Sequence, residues 1–481
     1  MKYNRLIIGL LLFFILADTL YSSLQHFYLP LDGDLVNAMS DPFHFKYIWN
    51  DLLGIKALTG EEVHPDPNRF MIPMIIYGYF YYVPIWLQSF SDPVTSVYLA
   101  CSLFKTLIQL SISLLVAQAV SQFNKTRNSF IIALVLIVPL FQTWGYSGSI
   151  GIIDGSITYT FFYAFPLALL LLFFMSFFPM LFQKKEVKIT WLKVFFLSIL
   201  AVILSFSGPL IPGVVSILCP MIILKIWYNK FCQSNSQNLF PKTIDAIKQI
   251  PFKIIFVFLF ICFLSIYSTY IGLAHSKYFD SISIPLHERF FKLLIGIYEL
   301  FTNSIGFALI LFVIVLNIVL LKRNAQKPEL KSIIVISRWV LAFSVLYLLL
   351  LPFGGYRTWR PNIVRYDTFM PVTISLIFLF GLSTNQCILI LKNKARIYYL
   401  LGITSVLLIF TFADKPHFHY NDCERSKLNE LAVSSDSIVV LNADCTVLSW
   451  GITSNINDSE LKARIIKNWR ITKEEKRFYQ K

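Results

Sequence analysis

The chain has 481 residues, of which 56% are apolar and only 14% are charged, and its mean hydropathy is +0.64. This composition excludes a soluble globular protein and indicates a polytopic α-helical membrane protein, because each crossing of a bilayer needs about 20 apolar residues. The formal net charge of +15 is assigned to cytoplasmic loops, where Lys and Arg accumulate. We find no nucleic-acid-binding motif in the sequence, so we expect the lipid bilayer and no nucleic acid as a partner.

Apolar runs along the chain predict about 11 transmembrane helices in an all-α fold. The first run begins at a basic N-terminus without a small-x-small cleavage site, so we interpret it as a retained helix and not as a signal peptide. The predicted spans are 6–28, 96–120, 130–145, 157–182, 191–207, 209–228, 252–274, 293–321, 332–352, 363–391 and 397–413. Strict alternation of these spans places every basic loop on one side, which we take as cytoplasmic.

The segment Met71–Leu87 is apolar enough to cross the membrane, but a crossing here turns every later basic loop outward. Its Tyr and Trp residues, with Pro73 and Pro84, favour a helix that lies at the membrane interface. We therefore predict that 71–90 docks on the outer surface. The alternative is about 12 spans, with the rest of the chain inverted.

The same topology divides the chain into a transmembrane domain, 1–413, and a small extracytoplasmic α+β domain, 414–481. Alternating residues in 437–450 predict one or two strands, and 460–478 predicts an amphipathic helix. Cys423 and Cys445 are the only cysteines of this tail. They are natural disulfide partners in an oxidising compartment, and two free thiols are the alternative.

The first outer loop, which follows the first span, is acidic, and Asp32-Gly33-Asp34 is its sharpest feature. Two carboxylates that flank a glycine can converge on one cation or one proton. Asp32 and Asp34 are therefore candidate ligands of a divalent cation such as Mg²⁺ or Mn²⁺, or candidate general bases toward an acceptor hydroxyl. The alternative is a solvated loop whose acids avoid lipid.

A later outer loop, 352–371, carries arginines among aromatic residues. They are Arg357, Arg360 and Arg365, with Tyr356, Trp359 and Tyr366. Guanidinium groups form bidentate contacts with phosphate oxygens and stack on aromatic rings, so this loop is a candidate site for a lipid phosphate. The alternative is a helix-end anchor at the headgroups.

Four further ionisable residues have weaker signals. His287, in the outer loop 275–292, is a second-rank substrate-binding candidate. Asp154 either lines the same cavity or caps the following helix, and we favour capping. Lys105 and Asp18 lie inside apolar runs. We interpret them either as partners or as groups that line a cavity.

Taken together, this pattern resembles the GT-C class of polytopic glycosyltransferases, which take sugars from polyprenyl-phosphate carriers. In that class the first outer loop carries an essential acidic residue and surface helices, which Asp32, Asp34 and 71–90 resemble. Several such families have an Arg-Tyr pair ahead of a proline in a later outer loop, similar to Arg365-Tyr366 and Pro371. An adjacent acidic pair is commoner there than DGD. The chain also resembles bacterial multi-pass inner-membrane proteins of no assigned activity that carry DGD and NPNRF-like elements.

The resemblance implies a cell-envelope glycosyltransferase in a bacterial inner (plasma) membrane, acting on a polyprenyl-phosphate-linked sugar. Asp34 or Asp32 would be the base or the metal ligand. The expected substrate-binding residues are Arg357, Arg360, Arg365, Tyr366 and His287. The alternatives are a transporter or flippase for a lipid-linked or anionic solute, and a polysaccharide polymerase.

Overall fold

The computed structural model describes residues 5–39, 50–59, 67–123, 127–141, 151–182, 189–233, 239–273, 284–302, 305–324, 328–354, 362–413 and 418–481. It is 80% helical. The helices are α1 Arg5–Phe27, α2 Gly33–Met39, α3 Met71–Leu87, α4 Pro93–Ser121, α5 Arg127–Ile137, α6 Ile157–Met175, α7 Phe178–Phe182, α8 Trp191–Ser205, α9 Leu210–Gln233, α10 Leu239–Lys248, α11 Phe252–Leu273, α12 Leu286–Thr302, α13 Ile305–Arg323, α14 Pro328–Leu350, α15 Tyr366–Ile390, α16 Asn393–Ala413, α17 Asp422–Val433 and α18 Glu460–Asn468. Two strands, β1 Ile438–Leu441 and β2 Arg477–Gln480, lie in the C-terminal segment.

Within the described residues, nine helices are long and apolar enough to cross a membrane, namely α1, α4, α6, α9, α11, α13, α14, α15 and α16. The chain is therefore a multi-pass α-helical membrane protein, as its composition predicts. Three apolar helices are shorter: α3, α5 with the 3₁₀ turn that follows it, and α8. The predicted spans 130–145 and 191–207 fall on α5 and α8.

The predicted span 293–321 is wrong in its first part. Residues 286–302 form the separate amphipathic helix α12, and the apolar helix α13 begins only at Ile305. Glu299 of α12 bonds to Asn362 and is thereby kept in a polar contact. Helix α12 also exposes the large apolar side chains of Leu294 and Tyr298. A helix that carries both exposed apolar and charged side chains is typical of a membrane surface.

Hydrogen bonds between polar side chains join the membrane helices. His26 and Gln109 bond at 3.1 Å between α1 and α4. Asn317 of α13 donates to Ser383 and Thr384 of α15, at 3.0 Å each. Such bonds are a usual means of helix association in the bilayer, where apolar surface gains little by pairing.

Backbone and side-chain contacts gather several helix ends at one end of the bundle, here called the site end. Gly208, after α8, donates to Asn68 O at 3.1 Å. Tyr267, near the end of α11, donates to Leu53 O at 2.7 Å. The segments around the first outer loop therefore lie across the ends of α8 and α11.

Helix α3 lies along the site end. It has 17 residues, and the contacts of its two halves indicate how it lies. Met71, its first residue, donates to Phe206 O at 3.3 Å. Near its other end, Phe80 O accepts from Trp469 Nε1 at 3.0 Å. Both halves thus contact segments outside the membrane helices, as the predicted surface docking of 71–90 requires.

The C-terminal segment 418–481 packs two helices against a two-stranded parallel sheet in which Ile438 pairs with Arg477. The predicted helix over 460–478 is wrong beyond Asn468, because the chain turns through a left-handed Arg470 (φ 58°) and returns as β2. Cys423 and Cys445 form a disulfide with a Cα–Cα distance of 6.2 Å. This pairing is the one expected for an oxidising compartment.

Candidate functional site

Asp32 directly precedes α2 and is almost fully buried, with 4% of its surface exposed. Its Oδ1 accepts from Leu35 N at 3.0 Å and from Thr158 Oγ1 at 2.8 Å. Its Oδ2 accepts from Ser156 Oγ at 2.6 Å and from Thr158 N at 3.1 Å. Four donors occupy the two oxygens, so this carboxylate ties the first outer loop to the start of α6.

Asp34 is different from Asp32, because it is only partly buried in the first turn of α2. The sequence left open which of the two carboxylates reacts. Asp32 fixes the start of α2 through its hydrogen bonds, whereas the side chain of Asp34 keeps part of its surface exposed.

A divalent cation does not fit Asp32. Its two oxygens already accept four hydrogen bonds, whereas a hard cation needs free oxygen lone pairs. Nor do the described residues contain a group of three or more His, Cys, Asp or Glu side chains able to hold a metal ion. The predicted cation remains a prediction, and we derive no chemical step through it.

The expectation that Asp154 caps the following helix is wrong. Ser156 is the N-cap, since its Oγ accepts from Tyr159 N at 3.3 Å. Asp154 accepts from Ser156 N at 2.6 Å and lies beside Tyr366. Burial raises the pKa of Asp154, although its interaction with the Tyr366 hydroxyl opposes this. Asp154 therefore belongs to the site.

These bonds connect two regions that the sequence nominated separately. Asp32 bonds to Ser156, Ser156 bonds to Asp154, and Asp154 lies beside the side chain of Tyr366. Tyr366 is the first residue of α15 and directly follows Arg365. The DGD loop and the Arg365-Tyr366 pair thus meet at the site end of the bundle.

Arg365 forms an ion pair with Asp367, and its side chain keeps 20% of its surface exposed. Its backbone nitrogen donates to Thr368 Oγ1 at 3.0 Å, which fixes the start of α15. A guanidinium has five donors, so the ion pair orients Arg365 without using all of them. Arg357 and Arg360 lie outside the described residues.

His287 is exposed at the start of α12. This helix packs beside the segment that leads into Arg365, because a Cβ on Gly296 would lie 2.9 Å from Val364 Cβ. Glu299 makes the polar contact, to Asn362. Helix α12 therefore lies near the site, and the contacts described here are made by Gly296 and Glu299.

Lys105, which the sequence left unassigned, is buried in α4 beneath the loop that carries Asp154. Its Nζ donates to Gly155 O at 2.5 Å. Asp154 and Asp32 are its nearby opposite charges. A cation near two buried carboxylates reduces the cost of burying their charge.

The helix that follows this loop is irregular, since Thr160–Ala164 is π-helical. Arg69 lies over the ring of Phe162 in this segment, 5.1 Å from its centroid. Single π-helical turns often mark functional sites, because they re-aim side chains that a regular helix would place elsewhere.

The C-terminal segment covers the DGD loop. A Cβ on Gly33 would lie 2.8 Å from both N and Cδ1 of Trp450. Glu424 accepts from Leu31 N at 2.9 Å, Tyr98 OH at 2.8 Å and Leu448 N at 2.9 Å. Burial raises the pKa of Glu424 to about 7, although these hydrogen bonds favour the charged form and lower it.

Sequence reasoning missed Ser156, Thr158, Glu424 and Trp450. They are ordinary residues in ordinary local contexts, and only the fold brings them to Asp32, Gly33 and Leu31. The one available signal was Asp154, which the sequence analysis singled out just ahead of Ser156 and Thr158.

Comparisons of the chain with protein-family models, with curated proteins and with solved structures find no match.

Proposed function

We propose that this protein is a membrane glycosyltransferase of cell-envelope assembly, which transfers a sugar from a polyprenyl-phosphate carrier at the outer face of a bacterial plasma membrane. The observation that carries the proposal is the run of neighbouring polar side chains from Asp32 through Ser156 and Asp154 to Tyr366. It holds the partly exposed Asp34 and the guanidinium of Arg365 at the same end of the bundle. This pair supplies a base and an anion-binding group.

An 11-span topology supports the outer placement. Helix α8 is flanked by Ile189 and Phe206, which lie at opposite ends of the bundle. The carbonyl of Ile189 accepts from Lys253 at 2.9 Å, at the start of α11, whereas Phe206 lies at the site end. Helix α5, like α8, starts at the end of the bundle opposite the site end. Near its start, Ser129 Oγ accepts from Asn385 at 2.7 Å, and Asn385 lies late in α15. If both helices cross, the nine longer helices alternate without conflict.

The distribution of basic residues then supports an orientation in the membrane. Basic residues lie at the end opposite the site, at the end of α13 and around the start of α16; they are Lys322, Arg323, Lys392, Lys394 and Arg396. Such residues favour the cytoplasm, so the site faces outward. The Cys423–Cys445 disulfide at the site end fits an oxidising compartment.

In the proposed reaction, Asp34 takes the proton of an acceptor hydroxyl as its oxygen attacks the anomeric carbon of the carrier-linked sugar. The bond between that carbon and the phosphate oxygen breaks, and the electron pair leaves with the polyprenyl phosphate. Arg365, oriented by Asp367, stabilises the phosphate charge. Asp32 contributes by holding α2, so catalysis consists of positioning and charge stabilisation.

The test is sugar transfer by purified protein in lipid nanodiscs, from decaprenyl-phosphate-linked hexoses to an envelope glycan extract. Asp34→Asn is expected to lower the rate at least about 100-fold, the usual contribution of a general base. Asp51→Asn is the matched control, because Asp51 caps a turn of the same loop, where it accepts from Ile55 N at 2.7 Å and from Lys56 N at 3.2 Å. Equal rates for the two variants contradict the proposal.

A transporter or flippase for a lipid-linked or anionic solute is the second candidate. It is favoured by the polar seam between α1 and α4, where Asp18, His26 and Lys105 are buried inside the bundle. Ionisable residues at membrane depth often line a transport path. Movement of a fluorescent polyprenyl phosphate across liposomes without sugar transfer, unchanged by Asp34→Asn, supports this candidate over the first.

A further inference from the structure

We infer that Trp450, from the C-terminal segment, is the platform on which a pyranose ring of the substrate stacks. This inference rests on the proposed glycosyltransferase function and names a specificity residue for it. No local sequence feature marks Trp450, which lies far along the chain from the DGD loop.

The first argument is position. A Cβ on Gly33 would lie 2.8 Å from the backbone N of Trp450 and 2.8 Å from its indole Cδ1. Real Cβ atoms do not approach backbone so closely, so only glycine permits this contact. The indole is therefore fixed against the residue that precedes Asp34, and a ring stacked on it lies next to the proposed base.

The second argument is that the backbone holds Trp450 in place. Leu448 adopts a left-handed conformation, with φ of 49°, which costs free energy in a residue with a bulky side chain. The bond from Leu448 N to Glu424 Oε1, at 2.9 Å, maintains it. Strained backbone of this kind concentrates at functional sites. After this turn, Trp450, two residues beyond Leu448, contacts Gly33.

The third argument is exposure. Trp450 keeps 58% of its surface exposed although it contacts the buried DGD turn. Its ring centroid lies 6.1 Å from that of Tyr159, with 31° between the planes. Tyr159 itself follows Thr158, which bonds to Asp32. Two neighbouring rings fixed from both sides of the site leave an aromatic surface at its rim.

The chemistry of that surface selects a sugar. One face of a pyranose presents C–H groups, which pack on an aromatic ring, while its rim of hydroxyls suits a carboxylate acceptor. Trp450 beside Asp34 offers both. The ring in question is either the sugar on the carrier or the terminal sugar of the acceptor glycan, and the two sources are separable by experiment.

The experiment measures ligand binding to the full chain in nanodiscs. One arm compares decaprenyl-phosphate-linked hexoses with bare decaprenyl phosphate, and the other uses free methyl hexopyranosides. Trp450→Ala is expected to weaken binding in one of the sugar arms by about 3- to 10-fold, as aromatic contacts of this kind are worth. It should leave bare carrier binding unchanged, and Trp450→Phe should recover part of the loss.

Ile452→Ala is the control, since Ile452 is exposed in the same segment, two residues away. The inference is overturned if Trp450→Ala and Trp450→Phe both bind sugars in the two arms as the unmodified chain does; the proposed function then stands. If the unmodified chain binds neither loaded carrier above bare carrier nor any free pyranoside, the proposed function fails together with the inference.

Discussion

The carboxylate of Glu424 accepts a hydrogen bond from Leu31 N at 2.9 Å and joins positions that are 393 residues apart in the sequence. The same carboxylate accepts from Tyr98 of α4 and from Leu448 of the C-terminal segment. A single buried side chain therefore connects the first outer loop, a membrane helix and the segment that carries Trp450. The C-terminal segment is thus part of the candidate site and not an appendage to it.

Gly33→Ala should displace the C-terminal segment. The new methyl group meets the backbone N of Trp450 at 2.8 Å, and backbone cannot move aside as a flexible side chain does. We expect a loss of about 1–3 kcal/mol in docking, the usual cost of overpacking. Limited proteolysis of 418–481 measures it as faster cleavage.

Gly451→Ala is the matched control for this change. Gly451 adjoins Trp450, but a Cβ there has nothing within 4 Å. Its cleavage rate should equal that of the unmodified chain. The contact between Gly33 and Trp450 is refuted if the two alanine variants are cleaved alike.

Stability of the docked C-terminal segment should fall with rising pH because of Glu424. Burial raises its pKa from 4.5 to about 7. Between these values the folded protein holds a proton that the unfolded chain has released, so stability falls as pH rises from about 4.5 to about 7 and is level above that. The full change is about 3 kcal/mol. Thermal unfolding across this range measures it.

Glu424→Gln keeps the shape of the side chain but cannot titrate, so the slope in this window should disappear. Glu430→Gln is the control, since Glu430 lies on the same helix and is partly exposed beside Lys427. A variant at Glu424 that retains the slope shows that other groups produce it.

Asp32→Asn should act mainly on stability, and Asp34→Asn should act mainly on transfer. Asn at 32 loses one of the two acceptor oxygens that Ser156 and Thr158 use, so unfolding should become easier by about 1–3 kcal/mol, the cost of an unpaired buried polar group. Asn at 34, where the side chain is only partly buried, should cost less stability than Asn at 32 and lower the rate of transfer at least about 100-fold. Thermal shift and transfer assays on the same samples test both; the reverse pattern exchanges the two roles.

The apolar runs predicted the membrane helices well, because hydropathy and length are local properties. The sequence also marked Asp32, Asp34, Arg365 and Tyr366, which the fold brings to one end of the bundle, because acids and arginines stand out in apolar surroundings. It misassigned Asp154, since Ser156 two residues later is the helix cap.

What the sequence could not show is which distant residues complete the site. Thr158 and Asp32 are 126 positions apart, and no local pattern relates them. The helix predicted over 460–478 failed for a similar reason: pairing of β2 with β1 outweighs the helical periodicity beyond Asn468. Long-range pairing of this kind commonly overrides local preference.

Thiol labelling in intact cells should locate the two ends of the bundle. Cys423→Ser frees Cys445 from its disulfide, and the proposed topology places this thiol outside. A membrane-impermeant maleimide should therefore label the variant in intact cells and leave the unmodified chain unlabelled, because its disulfide blocks the reaction. Cys232, exposed at the end of α9, is the internal control and should react only after the cells are permeabilised. If Cys232 is labelled in intact cells and Cys445 is protected, the topology is the inverse of the proposed one. The candidate site would then face the cytoplasm, which contradicts an extracytoplasmic transferase.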